Sequence, residues 1–82
     1  MPAKTLSGHT GKVNCVAVTP AAFVLTGSDD ETVKVWHGNK CVRTIKNHRE
    51  KHTESVRGLA VLPGGARFIS VSYDGTAKMW KI

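Results

Sequence analysis

The chain repeats itself once, and the length of the repeat limits the folds open to it. His9-Thr10-Gly11-Lys12-Val13 returns as His52-Thr53-Glu54-Ser55-Val56, residues 16–20 return as 59–63, and residues 28–36 return as 72–80. The first two matches are offset by 43 residues and the third by 44, so one residue is inserted between them. A third, partial copy is present, because Lys4-Thr5-Leu6 ahead of His9 echoes Arg43-Thr44-Ile45 ahead of His48. A period of this size marks an array of supersecondary units, each too small to bury its own apolar side.

Within each unit, short runs rich in Val, Ile, Phe, Thr and Trp alternate with turn-forming residues, the pattern of antiparallel strands. The pattern predicts strands a to d of the first unit over 13–18, 23–28, 32–37 and 41–46, and strands a to c of the second over 56–62, 67–72 and 76–81. Asp29-Asp30-Glu31 and Tyr73-Asp74-Gly75 read as tight b–c turns, where Asp bonds its own backbone and Gly accepts positive φ. His37-Gly38-Asn39-Lys40 reads as the c–d turn. No segment carries sustained helical periodicity.

A His near the start of each unit, a Ser-x-Asp-x-Thr turn and a Trp closing the next strand resemble the WD40 repeat over nearly the whole chain. The resemblance implies an all-β fold, a β-propeller of four-stranded antiparallel blades with two blades per chain. It also implies that His, strand-b Ser, turn Asp and strand-c Trp form a buried hydrogen-bonded chain. In the first unit these are His9, Ser28, Asp30 and Trp36. In the second they are His52, Ser72, Asp74 and Trp80, with His48 a rival for the His position. The chain departs from the family pattern in carrying Trp36-His37 and Trp80-Lys81 where the Trp-Asp dipeptide stands. Gly precedes His only at Gly8-His9, and residues 47–52 enlarge the loop before the second unit. Ser, His and Asp together invite comparison with a hydrolase triad. Their place in the repeat implies a structural network instead, and the expectation is that the chain is not an enzyme and needs no cofactor.

Eighty-two residues allow one small domain, which buries only about 60% of the surface its unfolded chain exposes. The expected organisation over 1–82 is a strand d at 3–7, a blade at 8–46 and a partial blade at 47–82 that lacks its d strand. A blade is apolar on both faces. Leaving on the order of 500 Å² bare on each terminal face costs about 12 kcal/mol per face. The expected remedy is head-to-tail oligomerisation in which the strand at 3–7 passes to the next subunit's last blade, so that Lys4, Thr5 and Leu6 meet Met79 and Trp80. A two-blade unit closes only even rings, and by resemblance a homo-tetramer of eight blades stands ahead of a homo-trimer of six.

Cys15 and Cys41 stand singly in strand-like settings, which suits a reducing, cytoplasmic or nuclear compartment. Neither an apolar run of membrane-spanning length nor a signal-peptide pattern occurs. His48 and His52 with Cys41 match no zinc spacing, and no metal is expected. The net charge is +6, with Lys40, Arg43, Lys46, Arg49 and Lys51 gathered in sequence. That cluster reads as a solvated strand edge and loop, because no aromatic residues interleave it as in single-strand nucleic-acid binders.

Rings of the family present loops as docking platforms. By resemblance the exposed positions here are Lys12, Asn14 and Asp29 in the first unit and Ser55, Arg57 and Tyr73 in the second, and Arg57 and Tyr73 carry the side chains that dominate interfaces. Leu25-Thr26-Gly27-Ser28, Gly38-Asn39-Lys40-Cys41 and residues 56–62 are similar to the propeller of the PLAA family, which implies ubiquitin as a ligand. The expected function is therefore a protein- or peptide-binding scaffold. The alternatives are an engineered or evolutionary-model propeller with no ligand, and a basic surface that binds nucleic acid or another polyanion.

Overall fold

The computed structural model describes residues 6–45 and 55–82. They form seven strands: β1 (Val13–Val18), β2 (Phe23–Ser28), β3 (Val33–His37), β4 (Lys40–Ile45), β5 (Val56–Val61), β6 (Arg67–Ser72) and β7 (Ala77–Lys81). Each begins and ends within about a residue of the position that turn chemistry and alternation predict. The first four make one antiparallel sheet in sequence order and the last three make another. Most of the strand expected at 3–7 lies outside the described residues. Leu6 and Ser7, which are described, take no part in a strand. Lys4, Thr5 and residues 46–54, with His48 and His52 among them, also lie outside.

The turns explain why the strands stop where they do. In the β1–β2 connection the Ala22 N–H donates to the Thr19 carbonyl, and in the β5–β6 connection the Gly65 N–H donates to the Leu62 carbonyl, both at 3.0 Å. Gly65 suits the left-handed backbone this requires, with φ 75°, whereas Ala22 adopts φ 67° with a side chain in the way. The extra residue of the second unit falls in this connection, since Leu62 N–H reaches Arg67 where Thr19 N–H reaches Phe23. From there onward Phe23 corresponds to Arg67 and His37 to Lys81.

The core lies between the two sheets. Alternation sends Leu25, Val33 and Val35 of the first blade toward the second, and Val56 and Phe68 of the second toward the first; all five are 2% exposed or less. Burying each such side chain contributes about 1.5–3 kcal/mol. Close approach depends on Gly27, where an added Cβ would stand 2.5 Å from Val56 Cγ1 and 2.7 Å from Cys15 Sγ. Burial at this seam pushes the Cys15 thiol above its usual value of 9.0, against a smaller opposing effect of the Gly27 backbone, so the thiol stays protonated.

Candidate protein-docking face

Two polar constructions occupy the end of the sheets where the b–c turns lie. The first is buried. His9 Nδ1 lies 2.8 Å from Asp30 Oδ2, and its Nε2 lies 2.6 Å from Thr26 Oγ1. The indole N–H of Trp36 donates to the same hydroxyl at 2.8 Å. One assignment satisfies every group: Nδ1–H donates to the carboxylate, Nε2 accepts the Thr26 O–H, and Thr26 Oγ1 accepts from Trp36. Asp30 also accepts from the Thr10 backbone N–H and from the N–H and hydroxyl of Thr32. Burial alone would raise this carboxyl, but the combined bonds from Thr32, His9 and the two backbone N–H groups hold it at about 2.

The hydroxyl at the centre is therefore Thr26 and not Ser28, a correction to the expected chain. Ser28 and Thr26 share one face of β2, but the Ser28 hydroxyl is spent on the turn, accepting the Asp30 N–H at 3.0 Å. The second blade repeats the shift. Trp80 donates to Ser70 at 2.8 Å, while the Ser72 hydroxyl accepts the Asp74 N–H at 3.1 Å. A signal was present in the sequence, since hydroxyl residues stand at matching places in the two b strands, Thr26 and Ser70. The His9 imidazole has both ring nitrogens engaged and a side chain only 4% exposed, which leaves it no access to a substrate.

The second construction is exposed and spans both blades. Asn14 Nδ2 donates to Asp29 Oδ1 at 2.6 Å and to the Val56 carbonyl at 3.1 Å. Hydrogen bonds from Asn14 and Ser55 hold the Asp29 carboxyl below its usual value of 3.8, and the Lys12 charge adds to them. The Asp29 N–H bonds the Lys12 carbonyl, and the Tyr73 N–H bonds the Ser55 carbonyl, so matching pairs pin each b–c turn to the start of its a strand. The Arg57 guanidinium carbon lies 5.3 Å from the centre of the Tyr73 ring, and Tyr73 is 72% exposed. All six residues expected to be exposed thus lie at one end. Lys12, Asn14, Asp29 and Ser55 gather at the seam, and Arg57 with Tyr73 forms a separate pair on the second blade.

Of the residues expected to close a ring, Met79 is 58% exposed, while Trp80 is half-buried between the blades. Among the described residues, β7 pairs only with β6.

The profile of the WD domain, G-beta repeat, matches residues 1–37 and 39–81. The chain belongs to the WD40 repeat family. Its relatives in that family include the DDB1- and CUL4-associated factor 13 of Mus musculus, 40% identical over 82 residues that cover 95% of this chain and 18% of that protein. The small ribosomal subunit protein RACK1y of Oryza sativa subsp. japonica is 37% identical over 78 residues, covering 92% of this chain and 23% of that protein. The nuclear distribution protein nudF 2 of Penicillium rubens is 31% identical, covering 95% and 20%. The chain thus spans about a fifth of the length of the curated relatives it matches. WD40 repeat proteins act as protein-interaction scaffolds, and the two sheets of this chain have the antiparallel form of WD40 blades.

Proposed function

We propose that these two WD40 blades are a protein-docking platform whose ligand sits on the end carrying Asn14, Asp29, Ser55, Arg57 and Tyr73. The observation that carries this reading is the exposed Tyr73 ring beside the Arg57 guanidinium. Holding both side chains in place before a ligand arrives lowers the entropy lost on binding, and Tyr and Arg supply much of the energy of protein interfaces. Asp29 adds an ionised carboxylate at the seam, so the face offers an aromatic plate, a cation and an anion to one partner. The names of two relatives point the same way, one being a factor associated with DDB1 and CUL4 and the other a protein of the small ribosomal subunit.

Further blades covering the two outer sheet faces complete the platform. Val16 and Val18 on the outward face of the first blade are 63% and 62% exposed, and Met79 on that of the second is 58% exposed. Copies of this chain, four for an eight-bladed ring or three for a six-bladed one, are one source of those blades. Blades of a different sequence are the other. A cytoplasmic or nuclear setting fits the two free thiols, Cys15 and Cys41.

Ubiquitin, implied by the PLAA resemblance, is the first ligand to test. Its titration should move the backbone amide signals of Asn14, Asp29, Ser55, Arg57 and Tyr73, and Tyr73→Ala should weaken binding about tenfold or more with melting unchanged. Absence of binding removes ubiquitin as the ligand. Signals that move only in the turns at the opposite end overturn the docking face.

A further inference from the structure

Charge separates between the two ends of the sheets. The side-chain carboxylates among the described residues, on Asp29, Asp30, Glu31 and Asp74, all belong to b–c turns. Toward the opposite end, where the a–b and c–d turns lie, stand Lys40, Arg43, Arg67 and Lys81, all exposed and without a described acidic side chain among them. The two blades set these ends side by side, since a Cβ added at Gly65 would stand 2.8 Å from Pro20 Cδ. Of the basic run read in the sequence as a solvated edge and loop, Lys40 and Arg43 are described, and the fold adds Arg67 and Lys81 to them.

Glu50 and Glu54 lie outside the described residues. Their segment, 46–54, also carries Lys46, Arg49 and Lys51, so it is net positive. Its flanks are at the b–c end, where Val33 pairs with Ile45 and Val56 with Ser72. A terminal carboxylate at Ile82 would offset one of the four cations and leave three.

The cations are arranged to share an anion. Arg67 and Lys81 are directly opposed on β6 and β7, a relation in which like charges repel. An anion between them turns that repulsion into attraction. Arg43 is anchored across the gap between blades, one N–H donating to the Lys81 carbonyl at 2.5 Å, which leaves its other donors for a ligand. Lys40 pairs with His37 at the c–d turn, so the positive charge spans β4, β7 and β6 of two blades. Covering the outward face of the second blade does not close this end. Phe23 and His37 hold the matching places in the first blade, whose corresponding face is covered, and His37 is exposed there.

Tyr73, the exposed aromatic ring of the b–c end, has no equivalent among these cations. The rings nearest them, Phe23 and His37, pack on each other with centres 4.7 Å apart. Proteins that bind single strands stack the bases on aromatic side chains, whereas a duplex keeps its bases stacked and offers phosphates to cations alone. We propose that the end carrying Lys40, Arg43, Arg67 and Lys81 binds the phosphate backbone of a double-stranded nucleic acid without regard to sequence. It lies opposite the docking face, so both can be occupied at once.

Fluorescence anisotropy of the full 82-residue chain with a labelled RNA duplex of about 16 base pairs tests this. Arg67→Gln with Lys81→Gln should weaken binding about tenfold or more in about 0.1 M NaCl and lower the slope of log affinity against log salt by about 2. Lys34→Gln with Lys78→Gln removes the same charge midway along the sheets and should change affinity less than about threefold. Removing the opposed pair relieves repulsion, so the urea midpoint should hold or rise. Independently of any variant, the duplex should move the backbone amide signals of Lys40, Arg43, Arg67 and Lys81 and leave those of the Tyr73 turn in place. Equal losses from the two double variants would mean diffuse attraction to a cationic chain, and signals moving at the b–c end would mean the wrong face; either overturns the proposal and leaves the docking reading standing. A DNA duplex of equal length should bind within about tenfold of the RNA, and a larger preference would contradict recognition through phosphates alone. Poly-glutamate bound as tightly as the duplex would make an acidic protein the occupant and overturn the assignment to nucleic acid.

Discussion

The indole N–H of Trp36 and the hydroxyl of Thr26, 2.8 Å apart, join strands β3 and β2, and through His9 they tie in the segment that precedes β1. Thr26 is the link on which the other bonds depend, because its single hydroxyl accepts from Trp36 while donating to His9. Among the described residues no buried side-chain polar atom lacks a partner. Removing this hydroxyl would strand two at once.

Thr26→Val should accordingly destabilise the chain by about 2–6 kcal/mol, since each of the two buried groups left unpaired costs about 1–3 kcal/mol. Thr26→Ser keeps the oxygen, as Ser70 does in the second blade, and should cost less than about 1 kcal/mol. Urea unfolding followed by tryptophan emission distinguishes the two. A loss for Thr26→Ser as large as or larger than that for Thr26→Val would mean that packing of the Thr methyl matters at least as much as the hydroxyl.

Asp30 sets the acid limit of this arrangement. Its carboxyl sits at about 2 in the folded chain against a usual 3.8, so the folded state favours the ionised form. The stability this supplies is complete above the higher value and is lost as pH falls from about 4 toward 2. Asp30→Asn should lower stability at neutral pH and flatten the acid limb of a melting-temperature profile. An unchanged acid limb would show that other carboxylates govern acid unfolding.

Ala22 carries a side chain in a backbone conformation that its counterpart Gly65 adopts freely. Ala22→Gly relieves about 1–2 kcal/mol of steric cost. It gives back about 0.4–1 kcal/mol through the greater freedom of the unfolded chain. The expected net gain is up to about 1.5 kcal/mol, read as a rise in urea midpoint with unchanged slope. A lower midpoint would mean that the Ala22 methyl makes a contact worth more than the strain.

The order and boundaries of the strands were legible because two local signals agree, the turn residues at Asp30, Gly38 and Asp74 and the alternation of side chains along each run. Such signals act over a few residues and survive without knowledge of what lies opposite. The residues at the exposed end were named from the resemblance to WD40 repeats, which implies that Asn14, Asp29, Arg57 and Tyr73 share one loop face. The partner of each tryptophan was not. Thr26 and Ser28 share a face of β2, and choosing between hydroxyls two residues apart depends on where the indole reaches across the sheet and on the turn having already claimed Ser28.

The repeat itself decided that this chain makes antiparallel blades with a polar network under each tight turn, since spacing and residue type suffice for local hydrogen bonding. Tertiary structure alone decided which face of each blade is covered. That outcome depends on Gly27 opening room for Val56 and on Leu25, Val35 and Phe68 closing into one buried cluster across the seam. Packing and charge between sheets depend on which side chains meet across a gap, and residues distant in sequence meet only once the chain has folded.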